Sequence, residues 1–117
     1  MSKFNWPFEI SGFGGGYEQA CRDMAEAGAE WLGKHPGIVK EWMDAQDEYM
    51  KRTGEDYYPL HERPESYREF EQAVLSVCED CTGAMFGAAK QHAISIAERG
   101  WDGHCKFVLE ARNKEAK

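Results

Sequence analysis

The sequence predicts an all-α protein, a compact bundle of four to five helices with an extended aromatic arm at its N-terminus. Apolar residues recur at spacings of three and four over most of residues 17–117, which is typical of amphipathic helices. Hydrophobic residues make up 42% of the 117 residues and aromatic residues 13%, which is enough apolar surface for a core. We therefore expect an N-terminal arm over residues 1–16 and one helical domain over residues 17–117.

The arm differs from the rest of the chain in its pattern. Apolar residues stand at nearly every second position, namely Phe4, Trp6, Phe8, Ile10 and Phe13. This alternation suits an extended segment laid across a helical core, and Pro7 with the following glycines argues against a long strand. The Gly-rich stretch 12–16 superficially resembles a phosphate-binding loop, but no Lys-Ser or Lys-Thr follows and Glu18 would repel an anion. We interpret this stretch as a flexible joint before the first helix.

Two helices are predicted next, on either side of the His35-Pro36-Gly37 turn. The first begins at Tyr17 and ends near Gly33, because apolar residues recur at helical spacing between these points. The second runs from Ile38 to Gly54, with its charged residues mostly on the outer face. Residues 54–65 contain two prolines and no sustained period, so they are predicted to form a loop.

The third helix is predicted to begin near Ser66, or just after Pro64, and its apolar stripe extends to Cys81. Glu69 lies three residues beyond Ser66, which is the spacing of a capping box. The Thr82-Gly83 pair either interrupts this helix or caps a new one.

The fourth helix is predicted to run to Arg99 and is rich in alanine and glycine. Such small residues permit another helix to approach closely. Gly100 is predicted to end it, and a last helix begins at Trp101 or Asp102 and frays over residues 113–117.

Charge is unevenly distributed along the chain. With 21 acidic and 14 basic residues the formal net charge is −7, which disfavours direct binding to nucleic acid. Residues 41–71 hold ten acidic and four basic side chains. No apolar run is long enough to span a membrane, and the first residues lack the apolar stretch typical of a signal peptide. We therefore expect a cytoplasmic protein with no membrane partner and no cofactor.

The acidic segment forms the first candidate site. Glu41, Asp44 and Glu48 recur at helical spacing, so they share one face of the second helix. Such a face is suited to a Lys/Arg-lined groove on a partner, with tyrosines as anchors. The alternative is an ordinary solvated helix face. The predicted partner-binding residues are Glu41, Asp44, Asp47, Glu48, Glu55, Asp56, Tyr57 and Tyr58.

The four cysteines raise the alternative of a metal site. Cys78 and Cys81 are three residues apart, so on a helix they would face one way. His104 and Cys105 are adjacent, so on a helix they point about 100° apart, which suits zinc poorly. The other interpretation is that all four cysteines are reduced thiols in or near the core. The alternative metal ligands are Cys78, Cys81, His104 and Cys105.

No catalytic residues are predicted. The four histidines are scattered along the chain, and His92 lies on the small-residue helix, where it is typical of a hydrogen-bonded boundary residue. The His61-Glu62 pair and the cluster over residues 102–105 are nonspecific. A nucleophile and base could still meet in three dimensions, but the sequence gives no reason to expect it.

Two segments of the chain resemble small proteins of tailed bacteriophages and prophages. The first is Ser11-Gly-Phe-Gly-Gly-Gly-Tyr-Glu18 with Ala27-Gly28, Trp31 and His35-Pro36 downstream, and the second is Thr82-Gly-Ala-Met85 with His92 and Gly100-Trp101. The resemblance covers about half of the chain and brings no catalytic residues with it. It implies a context in which small acidic proteins bind host proteins, including CRISPR effectors and other defence enzymes.

The predicted function is therefore that of a non-enzymatic phage-type protein. It would bind and inhibit a host protein or ribonucleoprotein complex in the host cytoplasm, as an anti-CRISPR or other anti-defence factor, through its acidic face. A homodimer through the Ala/Gly-rich helix is compatible with this prediction. The alternatives are a small Cys/His metal-binding protein or hydrolase, and a structural or assembly protein of the virion.

Overall fold

The computed structural model describes residues 4–10, 17–78 and 83–115. In these ranges the chain forms four helices, α1 (Tyr17–Gly33), α2 (Ile38–Thr53), α3 (Glu65–Leu75) and α4 (Gly83–Glu115), with a 3-10 turn at Leu60–Glu62. No strand occurs in them. The predicted all-α class is confirmed. The Gly-rich joint and Thr82 lie outside the described residues.

Gly100 divides α4 into two helical segments. Its φ of 77° and ψ of 167° are not helical, and a positive φ of this size favours glycine because it has no Cβ. Residues 83–99 precede the break and residues 101–115 follow it. The predicted helix end at Gly100 is therefore confirmed.

The closest approach between helices lies where Gly28 of α1 faces Ala93 of α4. A Cβ built on Gly28 would lie 2.8 Å from the Ala93 Cβ and 3.2 Å from side-chain atoms of Phe70 and Val74 in α3. Ala89 and Ala93 are fully buried. The small residues of α4 thus admit α1 of the same chain, and these two alanines are not available to a homodimer interface.

α2 lies at the edge of this core and is attached mainly through one side chain. Trp42 is the one buried side chain among the described residues of α2. Its ring centroid lies 5.9 Å from that of Trp31 and 5.2 Å from that of Tyr67. Its Nε1–H donates a hydrogen bond to Ser66 Oγ at 2.9 Å. Most of α2 therefore faces solvent.

The start of α3 confirms the predicted beginning just after Pro64 and corrects the predicted capping box. The helix begins at Glu65, directly after Pro64, with no side-chain capping bond. The predicted capping box of Ser66 and Glu69 does not form the N-terminus, because Ser66 lies inside the first turn and its hydroxyl accepts the Trp42 indole N–H.

The end of α3 is also earlier than predicted. The apolar stripe was expected to continue to Cys81, but the helix ends at Leu75. The Ser76 hydroxyl donates to the Ala73 carbonyl at 2.9 Å, and the Val77 N–H bonds to the Val74 carbonyl three residues back. This tighter spacing closes the helix, and Cys81 itself lies outside the described residues.

The predicted aromatic arm is present over residues 4–10. Phe4 stacks on Trp101 with ring centroids 4.3 Å apart. Trp6 and Phe8 are buried, and the Trp6 Nε1–H donates to the Glu26 carboxylate at 2.6 Å. The arm therefore completes the core over α1 and the second segment of α4.

The close approach at Gly28 generates a test of the fold. Gly28→Ala should lower the free energy of unfolding by about 1–3 kcal/mol, because the added methyl overpacks against Ala93. Gly87→Ala is the matched control, since nothing lies within 4 Å of a Cβ at Gly87. It should raise stability by about 1 kcal/mol through helix propensity alone. Urea unfolding followed by circular dichroism measures both changes, and a shift in the same direction for the two variants would contradict the packing described.

Candidate functional site

The carboxylates of the predicted partner-binding site all lie on the surface. They occupy the outer side of α2 and the loop that follows it. We call them the acidic surface, which consists of Glu41, Asp44, Asp47, Glu48, Glu55 and Asp56, all exposed. The structure thus places these six residues where a partner can reach them.

One carboxylate of the acidic surface is neutralised by an adjacent cation. Lys40 Nζ lies 2.9 Å from Asp44 Oδ2, one helical turn away. The hydrogen bond to Asp44 raises the pKa of Lys40. Both side chains are largely exposed, and exposed pairs of this kind contribute less than about 1 kcal/mol. A partner could displace this contact at little cost.

The centre of the acidic surface keeps its charge. Asp47 and Glu48 border a shallow surface groove together with Lys51 and Arg52. Within the described ranges neither carboxylate forms an ion pair with these cations. The Arg52 guanidinium lies instead over the Tyr49 ring, 5.5 Å from its centroid. The carboxylates of Asp47 and Glu48 are therefore available to a basic partner.

The two adjacent tyrosines have different positions. Tyr57 is 67% exposed, whereas Tyr58 is 9% exposed. The Tyr58 hydroxyl donates to the Glu62 carbonyl at 3.3 Å, and the Tyr58 carbonyl accepts two bonds from the Arg63 guanidinium. Tyr58 thus anchors the loop inside the protein, and its assignment as a partner-binding residue stays a prediction. Tyr57 remains available at the surface.

The alternative metal site is not brought together in the part of the chain that the structure describes. Cys78 is disulfide-bonded, so it is not the reduced thiol expected from the sequence, and Cys81 lies outside the described residues. Cys105 is a free, partly buried thiol. Burial raises the pKa of this thiol, and the negative charge of nearby Asp102 raises it further. The described residues contain no group of three or more His, Cys, Asp or Glu side chains placed to hold a metal ion.

A partly buried polar cluster spans the break at Gly100. His92 Nδ1 lies 3.0 Å from His104 Nε2, and His104 Nδ1 lies 2.8 Å from Ser95 Oγ. Arg99 Nη1 donates to the same hydroxyl at 3.0 Å. We call His92, Ser95, Arg99 and His104 the histidine cluster.

Sequence reasoning missed this cluster. A signal was present, since His92, Ser95 and Arg99 recur at spacings of three and four and so share one helix face. Their partner His104 comes from the other segment of α4. Whether His104 reaches His92 and Ser95 depends on the direction of the chain after Gly100. Helical periodicity in the sequence does not specify that direction.

Burial keeps both histidines neutral at neutral pH. Desolvation, and then the neighbouring His92 and Arg99, lower the pKa of His104 from 6.5 to about 4. Desolvation and Arg112 lower the pKa of His92, although Glu18 opposes this. A neutral imidazole has one donor and one acceptor nitrogen, so each contact in the cluster pairs a donor with an acceptor.

The histidine cluster contains a serine beside an imidazole, which is the pairing used by serine nucleophiles. Its environment favours a structural role. His104 is 1% exposed and Ser95 is 9% exposed, and a histidine with a pKa of about 4 is a weak base at neutral pH. The cluster therefore satisfies buried polar groups where the two segments of α4 meet.

Two further findings bear on function. None of the helices in the described ranges combines the length and apolar character needed to cross a bilayer. Comparison with protein-family models, curated proteins and solved structures gives no match for this chain. Function is therefore inferred from the surfaces and contacts described above.

The histidine cluster predicts a loss of stability in mild acid. Unfolded histidines titrate near 6.5 and His104 in the fold near 4, so between these values the unfolded state binds more protons. The free energy of unfolding should therefore fall as pH drops through this window, by at most about 1.4 kcal/mol per pH unit for each histidine. Urea unfolding at neutral pH and in mild acid measures the slope.

The matched control for this measurement is an exposed histidine. His104→Gln should flatten the dependence of stability on pH between about 6.5 and 4, because the titrating group is removed. His61 is exposed, so His61→Gln should leave the dependence unchanged. Equal slopes for the two variants would contradict the assignment.

Proposed function

We propose that this protein is a non-enzymatic binding protein whose acidic surface docks on a lysine- and arginine-rich surface of a partner protein. One observation carries the proposal. The six carboxylates of the acidic surface are exposed. Of these six, Asp44 alone forms an ion pair with a residue in the described ranges. Such a surface attracts a basic partner and disfavours acidic ones.

The attachment of α2 supports this role. Trp42 alone is fully buried among its described side chains, and the exposed outer side of α2 is free for contact. Met43 is 61% exposed and Tyr57 is 67% exposed, so apolar and aromatic groups flank the carboxylates. Charged groups mainly set the association rate and specificity, whereas buried aromatic groups contribute most of the affinity. The surface offers both kinds of contact.

The chemistry of the surface also favours one class of partner. Lysine- and arginine-rich grooves on proteins commonly serve to bind phosphate backbones. An acidic helix docked in such a groove would compete with nucleic acid. Together with the resemblance to phage proteins, this supports inhibition of a host nucleic-acid-binding complex in the host cytoplasm, of which a CRISPR effector is one example.

Charge reversal at the centre of the acidic surface tests the proposal. Asp47→Lys with Glu48→Lys should weaken capture of the partner about tenfold or more, because like charges would meet across the interface. Protein immobilised on beads is incubated with bacterial lysate, and the captured proteins are quantified by mass spectrometry at low and high salt. Capture by the unaltered protein should fall with added salt.

The control carries the same change of charge at another place. Asp102→Lys with Glu110→Lys alters two exposed acids of the second segment of α4. This variant should capture the same proteins as the unaltered chain. Equal losses in the two double variants would show that net charge, and not the acidic surface, governs binding, and equal retention by both would also reject the proposal.

A further inference from the structure

A cavity lies between α2, the loop before α3 and the first segment of α4. Its volume is about 350 Å³, and its walls include Trp42, Tyr58 and Tyr67. Cavities of roughly this size and aromatic character commonly hold small organic molecules. None of the six carboxylates of the acidic surface lines the cavity, so this inference does not rest on the proposed function.

Two cations meet at one aromatic ring in this cavity. The Arg63 guanidinium carbon lies 4.8 Å from the centroid of Tyr67, and Lys90 Nζ lies 5.3 Å from the same centroid. Lys90 also donates to the Tyr67 hydroxyl at 3.2 Å. Both cations are half-buried. Both therefore line one cavity and are partly withdrawn from water.

Neither cation is matched by a carboxylate. In a chain with a net charge of −7, Arg63 and Lys90 form no ion pair with any acid in the described ranges. Glu98 also lines the cavity, yet it pairs with neither of them. Two positive charges that line one cavity without an ion-paired carboxylate attract an anion, and partial burial strengthens that attraction.

Hydrogen-bond donors remain free at both cations. Arg63 uses Nε and Nη2 to bind the Tyr58 carbonyl, which leaves Nη1 without a partner in the described residues. Lys90 uses one of its three N–H bonds for Tyr67. A carboxylate in the cavity could therefore accept a charge-assisted hydrogen bond from either side chain.

We propose that this cavity binds a small aromatic carboxylate. The carboxylate pairs with the cations that line the cavity, Arg63 and Lys90, and the aromatic ring packs against Trp42 and the tyrosines. The cations select an anion, whereas the aromatic walls select an apolar body. The combination excludes both a simple inorganic anion and a neutral aromatic compound as good ligands.

Phenylacetate is a suitable probe, with phenylacetamide and acetate as matched controls. The indole N–H of Trp42 reports binding in a two-dimensional ¹H–¹⁵N spectrum, because Trp42 lines the cavity. Phenylacetate should produce a saturable shift of this resonance. Phenylacetamide keeps the ring but lacks the negative charge, and acetate keeps the charge but lacks the ring. Each should bind at least tenfold more weakly than phenylacetate. Equal binding of the amide, or no saturable shift with phenylacetate up to about 20 mM, would overturn the proposal.

Variants locate the site. Lys90→Gln removes one cation and should weaken phenylacetate binding at least fivefold. Lys106→Gln removes an exposed cation elsewhere on α4 and should leave binding unchanged. An unchanged titration for Lys90→Gln, or an equal loss in both variants, would reject the assigned position. The comparison of phenylacetate with its amide uses the unaltered protein, so the proposal is tested even if a variant folds poorly.

Discussion

The close approach of α1 and α4 at Gly28 is the constraint on which the rest of the fold depends. An added Cβ at this position would collide with Ala93 and crowd two side chains of α3, so three helices meet at one point where only glycine fits. Close packing of this kind brings many weak dispersion contacts together. It also determines which elements remain at the periphery. With α1, α3 and α4 joined here, α2 lies at the edge of the core. The acidic surface and the cavity both lie along α2.

Local patterns predicted much of this architecture. The boundaries of α1 and α2 and the break at Gly100 follow from helical periodicity and from glycine at positive φ. The predicted capping box was wrong because a residue distant in sequence forms a hydrogen bond with the capping side chain. Ser66 has the sequence signature of a helix cap, but its hydroxyl accepts a bond from Trp42, 24 positions away. The early end of α3 depends on backbone bonds of the closing turn, for which the apolar stripe carries no signal.

The two candidate sites differ in how far the sequence could identify them. The acidic surface is contiguous along α2 and its loop, so composition and spacing predicted its carboxylates. The positions of adjacent Tyr57 and Tyr58 could not be separated, because a loop has no regular period. The aromatic cavity is built from residues scattered between positions 39 and 98, and the pairing of Arg63 with Lys90 at one ring exists only after α3 and α4 have packed. The histidine cluster is hidden for the same reason.

The dependence of α2 on Trp42 has a consequence for the dynamics of the molecule. A helix with one buried anchor among its described residues can detach at a smaller free energy than global unfolding, so its amides should exchange with solvent hydrogen sooner than those of α1. Because Trp42 also forms a wall of the cavity, an occupant there would oppose detachment. Occupancy would then stiffen the helix that presents the carboxylates, and the two surfaces would be thermodynamically linked through a single indole.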